Sequence, residues 1–150
     1  MSHGLTLLLF LVLVVGGGLG VGAVTTPDEW YARLDKPLFT PPGWLFPIAW
    51  TALYVLIAVA GWRIWRRERG GLAMMLWWMQ LILNFAWSPL FFAAHQIGLA
   101  LVVVELLFGV VVGVIAAARR FDPLAAWLLA PYAVWVAFAA VLNGTILAMN

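Results

Sequence analysis

Five long apolar runs, Leu5 to Val24, Trp44 to Trp62, Leu72 to Ala94, Gly98 to Ala118 and Leu124 to Met149, with a single acidic residue among them, alternate with short stretches rich in charge, glycine or proline. Each run is close to the roughly 20 residues that a helix rising ~1.5 Å per residue needs to cross a hydrocarbon layer of ~30 Å. No water reaches backbone amides in that layer, so each run must close its hydrogen bonds within itself as a helix. The ten-residue alternation of a barrel strand is absent. The pattern predicts an all-α membrane protein: a single domain over 1–150, built as a five-transmembrane-helix bundle with spans at 5–24, 44–62, 72–94, 98–118 and 124–149.

Composition agrees and narrows the chemistry. With 66% hydrophobic and 9% charged residues, against roughly a quarter charged in soluble domains, the chain is not an ordinary soluble globule. Without cysteine there is no disulfide framework, thiolate nucleophile or sulfur-based metal site. His3 and His95 are far apart, so neither a metal nor a resident cofactor is expected. A formal charge of +2 gives no case for nucleic acid as a partner. If the spans alternate, Arg63, Arg66, Arg67, Arg69, Arg119 and Arg120 share the amino-terminal side, while Arg33 and Lys36 lie opposite. That bias predicts a multi-pass protein with its amino terminus in the cytoplasm. The first run, ending near Gly22-Ala23, also has the look of a cleavable signal, but no Lys or Arg precedes Leu5 and the run is long for one.

On a helix, positions three and four apart share a face, and Trp77, Gln80, Asn84, Trp87 and Phe91 follow that spacing in the third span. An amide facing hydrocarbon leaves its donors and acceptors unpaired, so Gln80 and Asn84 are expected to turn toward another helix, water or a ligand. The second span places Pro47, Trp50, Tyr54 and Gly61 on a comparable stripe, and the fifth places Tyr132, Trp135, Ala139 and Asn143. Three helices turning rings and polar groups inward predict one shared cavity, whose flat walls suit a large, planar, mostly apolar ligand. Plain interhelical bonding is the competing reading for the amides. Trp44, Trp62, Trp65 and Trp127, near span ends, read instead as a headgroup belt.

Other features carry less. Gly16, Gly18, Gly20 and Gly22, and Gly109 with Gly113, permit close approach of neighbouring helix backbones. Pro89 and Pro131 each remove a backbone donor and are expected to bend their helices. Glu105 is the one ionisable residue well inside a span, which makes it a candidate for proton coupling. The loop from Thr25 to Gly43, with its prolines, mixed charges, Trp30 and Tyr31, reads as a structured lid over the bundle mouth, with an interfacial cap as the alternative.

The order of motifs then resembles a known family. Lys36-Pro37 and Pro41-Pro42 are followed by Trp44-Leu45-Phe46-Pro47 and Trp50 to Tyr54. Gln80 to Asn84, Trp87-Ser88-Pro89 and Phe91-Phe92 lie in the third span, and Pro131-Tyr132, Trp135 and Leu142-Asn143 in the fifth. Together they resemble the translocator protein family, also called TspO/MBR or peripheral benzodiazepine receptor, over nearly the whole chain. The resemblance implies a five-helix bundle, often a homodimer, with a cavity under the first loop for porphyrins such as protoporphyrin IX and haem, and for isoquinoline- or benzodiazepine-type drugs. By the same resemblance, Trp50 and Asn84 match polar contacts to ligand, and Trp87 and Tyr31 match pocket walls. Trp30 with Trp135 match an aromatic pair linked to light- and oxygen-dependent porphyrin breakdown in some bacterial members. Phe46, Tyr54, Gln80 and Asn143 complete the candidate lining.

Three functions are therefore expected to compete: a porphyrin-binding membrane protein that transports, senses or sequesters its ligand, an enzyme degrading porphyrin through Trp30 and Trp135, and a proton-coupled exporter using Glu105. No conventional acid–base pair, nucleophile or metal site supports the enzyme.

Overall fold

The computed structural model describes residues 2–150. Five long helices, His3–Val24, Leu45–Arg67, Leu72–Ala93, Ile97–Ala118 and Pro123–Met149, are each long and apolar enough to span a membrane. Among the described residues there is no strand. A short helix, Glu29–Arg33, lies in the first loop, where the Asp28 carboxylate caps it by accepting from the Tyr31 amide at 3.1 Å.

The spans pack as a ring rather than in chain order: first against second, second against fifth, fifth against fourth, fourth against third, and third back toward the first two. Ile57, Trp77, Leu107, Val111, Leu129, Tyr132 and Val136 fill the middle of this bundle. Leu9, Val12, Ile82, Leu106, Val134 and Val141 point outward. In lipid that outer face is solvated by acyl chains, so close packing and buried polar bonds must hold the helices together. One such bond runs from the Trp77 indole N–H to the Ile57 carbonyl at 3.1 Å. It is reached because Gly61 has no side chain where the Trp77 ring lies.

Three local expectations differ from the structure. The second helix continues past Trp62 to Arg67, leaving only a short turn where a longer charged break was expected. Arginines at a helix carboxyl end meet the negative end of its dipole, and Arg66 and Arg69 lie over the Trp62 and Trp65 rings at 4.8 and 5.4 Å, which favours the extra turn. The glycines of the first span admit rings rather than a bare backbone: Gly17 faces the Phe85 ring and Gly18 the Tyr54 ring, while Gly16, Gly20 and Gly22 face open space. Gly109 also faces open space, and the nearest atom to Gly113 belongs to Leu76. Pro89 widens its helix into a π turn, Pro89–Ala93, in which the Ala94 amide donates to the Pro89 carbonyl at 2.9 Å, whereas the helix around Pro131 runs on uninterrupted.

Candidate ligand cavity

At the end of the bundle that carries the first loop, the ring of helices opens around a cavity of about 630 Å³. The second span contributes Phe46, Pro47, Trp50 and Tyr54, the third Asn84, Trp87 and Ser88, and the fifth Trp135, Phe138 and Asn143. Tyr31 and Lys36 descend from the loop, and the first span supplies Gly18, Leu19, Gly22 and Ala23. Trp50 is the hinge of the aromatic wall: it stacks on Tyr54 with ring centroids 5.5 Å apart and meets Trp135 edge-on at 6.4 Å. Trp135 in turn packs on Phe46 and Phe138.

A directed chain of hydrogen bonds runs beneath this wall. The Tyr54 hydroxyl donates to Asn84 Oδ1 at 3.4 Å, Asn84 Nδ2 donates to the Tyr132 oxygen at 2.8 Å, and the Tyr132 hydroxyl donates to Gln80 Oε1 at 2.7 Å. A second pair fixes the opposite wall, with the Trp87 indole donating to Asn143 Oδ1 at 3.1 Å and Asn143 Nδ2 to the Ile97 carbonyl at 3.0 Å. Such bonds hold rotamers in place before any ligand arrives, which lowers the ordering cost of binding.

Of the residues singled out from sequence, Tyr31, Phe46, Trp50, Tyr54, Asn84, Trp87, Trp135 and Asn143 line this one space. Gln80 and Trp30 do not. Gln80 is fully buried under the floor as the end of the Tyr54–Asn84–Tyr132 chain. Trp30 packs edge-on to Phe91 and stacks on His95 at 4.0 Å, so Trp30 and Trp135 do not share the cavity wall. Glu105 lies on the exposed face of the fourth span, away from the cavity.

The loop is tied down at two places. Asp28 Oδ2 lies 3.1 Å from His95 Nε2 in the turn after the third span, beneath the Trp30–His95 stack. The Asp35 backbone exchanges two hydrogen bonds with the Asn150 side chain, at 3.0 and 2.8 Å. The Tyr31 amide, followed by His95, holds the Asp28 carboxyl below its ordinary value, and burial holds the Tyr31 phenol above its own.

Sequence reading passed over Lys36 as a cavity residue, although the loop's charge pattern contained the signal. Glu29 is spent on Arg33 at the i,i+4 spacing, 3.1 Å away, and Asp28 caps the loop helix. Among the described residues Lys36 has no carboxylate in ion-pair range; its Nζ donates to the Leu34 carbonyl at 2.9 Å and sits 4.7 Å from the Tyr31 ring centre. Phe138 was legible too, three residues after Trp135 on the same stripe. Gly18 was seen only as a packing glycine, because nothing in the sequence says that a tyrosine ring from another span fills its place.

Comparison with known proteins agrees with this architecture. The TspO/MBR family profile matches residues 9–149. The tryptophan-rich sensory protein of Cereibacter sphaeroides is 36% identical over 144 residues, covering 96% of this chain and 91% of its own. The tryptophan-rich protein TspO of Chlorobaculum tepidum is 36% identical over 153 residues, covering 95% of this chain and 97% of its own. The translocator protein of Sus scrofa is 44% identical over 121 residues, covering 77% and 71%. With five membrane-spanning helices and a match along nearly its full length, the chain is a multi-pass integral membrane protein that belongs to the TspO/MBR family.

Proposed function

We propose that the protein binds porphyrins, protoporphyrin IX or haem, in the loop-end cavity and serves in their transport, sensing or sequestration. The observation that carries this reading is the cavity itself: about 630 Å³, walled by Phe46, Trp50, Trp87, Trp135 and Phe138, with a few amides and one lysine at its edges. That volume lies inside the ~300–1,000 Å³ range of small-molecule sites, and ring faces with sparse polar groups match a planar macrocycle bearing acidic substituents on one edge. The loop over 25–43 acts as the lid, its closed position favoured by the Asp28–His95 and Asp35–Asn150 ties. The whole chain works as one domain, its amino terminus cytoplasmic, and a homodimer is its working assembly. Porphyrin breakdown is the weaker reading, because Trp30 is not on the cavity wall.

The test is a titration of purified protein with protoporphyrin IX followed by the shift of the pigment's absorbance band. Trp50→Ala and Trp135→Ala are each expected to weaken binding by about tenfold, the effect of losing one buried aromatic wall. Unchanged affinity in both variants would empty the cavity of its proposed ligand.

A further inference from the structure

At the opposite end of the bundle a second, smaller cleft of about 180 Å³ is lined by Arg63, Arg66, Arg67 and Asp122. Its one carboxylate is engaged mainly through one oxygen. Asp122 Oδ1 accepts from Arg63 Nε and Nη2 at 3.2 and 3.0 Å and from the Ala125 amide at 3.0 Å, and the side chain is 2% exposed. Arg67 lies further off, its Nε 3.8 Å from Asp122 Oδ2, and its side chain is 59% exposed. Arg66 has no carboxylate partner among the described residues; its guanidinium lies over the Trp62 ring at 4.8 Å, which holds the plane and leaves the N–H edges free. Three guanidinium groups thus border a cleft with a single carboxylate, which hydrogen-bonds Arg63 through Oδ1 and has only Arg67, at 3.8 Å, in ion-pair range of its buried Oδ2.

The surroundings select the ligand. Val55, Val59, Trp62 and Arg66 fall at helical spacings on one face of the second span, with Val55 41% exposed toward the hydrocarbon. A molecule held at Arg66 by an anionic head therefore has an apolar track leading into the bilayer. Arg69, Arg119 and Arg120, all exposed at the same end, add attraction for negative charge. We propose that the Arg66–Arg67 cleft binds the phosphate-bearing headgroup of an anionic phospholipid, with the acyl chains along Val55, Val59 and Trp62.

The experiment is native mass spectrometry of the full-length protein released from detergent micelles, titrated with phosphatidylglycerol, phosphatidylcholine or inorganic phosphate. Phosphatidylglycerol is expected to be retained in preference to phosphatidylcholine. Arg66→Gln with Arg67→Gln, which leaves the Arg63–Asp122 pair intact, should weaken retention by about 25-fold, taking about fivefold for each basic residue near a lipid surface. Arg119→Gln with Arg120→Gln should retain the lipid nearly as wild type does. Equal retention of the two lipids, no loss in the Arg66/Arg67 variant, or an equal loss in the Arg119/Arg120 variant would overturn the site. Displacement of phosphatidylglycerol by millimolar inorganic phosphate would also overturn it, by showing that a free anion is the ligand.

Discussion

Lys36 sits at the rim of a mostly apolar cavity with only two backbone carbonyls, those of Ala32 and Leu34, and a ring face for company. An ammonium placed there gains most from a ligand carboxylate, so Lys36→Gln should weaken binding of protoporphyrin IX by about tenfold, within the usual range for one desolvated charge-assisted bond. The same variant should bind the dimethyl ester of that pigment almost as wild type does; equal losses for acid and ester would remove the lysine from ligand recognition. Deeper in, the Tyr132 hydroxyl both accepts from Asn84 and donates to Gln80, and the residue is fully buried. Tyr132→Phe leaves both amides short of a partner, a cost of about 1–3 kcal/mol. Chemical unfolding in detergent should report that loss, and an unchanged midpoint would mean that the chain of bonds adds nothing to stability.

The second and fifth spans are joined at one end by Asp122, which caps the fifth helix through the Ala125 amide while holding Arg63 of the second. Burial alone would raise its carboxyl, but the Ala125 amide and the Arg63 and Arg67 guanidinium groups outweigh it and hold the group below its ordinary value of 3.8. A carboxyl lowered in the folded state stabilises fully above about pH 4 and loses that contribution as pH falls through the lowered value. Thermal unfolding between about pH 3 and 6 should therefore show an acid-side loss of stability that Asp122→Asn flattens. A variant with the wild-type slope would place the acid sensitivity elsewhere. Helix ends also mark where sequence stops being a guide. Hydrophobic runs located all five spans, since lipid admits little else, yet the second helix outlasts its run because Arg63, Arg66 and Arg67 reach back to Asp122 and to indole faces. Asp122 comes from a distant part of the chain, so no run length contains it. The cavity stripes were legible for the same reason that the spans were: an inward amide is forced by its surroundings. Gln80 shows the limit, because whether such an amide meets a ligand or a tyrosine hydroxyl depends on a neighbouring helix.

Across the whole molecule, charge is divided between the two ends: six arginines gather at the end opposite the loop, beside Glu68 and Asp122, while the loop end holds Asp28, Glu29, Arg33, Asp35 and Lys36. The proposed orientation, with the amino terminus and the arginine end cytoplasmic, rests on the positive-inside bias. Since the sequence contains no cysteine, single replacements are clean reporters of sidedness. In intact cells a membrane-impermeant maleimide should label Phe39→Cys and spare Gly70→Cys, with both labelled after the membrane is opened. The reverse pattern would invert the topology. The cavity lies at the loop end, and part of its boundary is formed by Leu19, Gly22 and Ala23 of the first span, all of them exposed. Entry past this small-residue stretch of the first span would admit a ligand dissolved among acyl chains, with the bilayer as its reservoir. Apparent dissociation constants should then rise in step with the amount of lipid or detergent present, and collapse onto one value once concentration is expressed as mole fraction within the hydrocarbon phase.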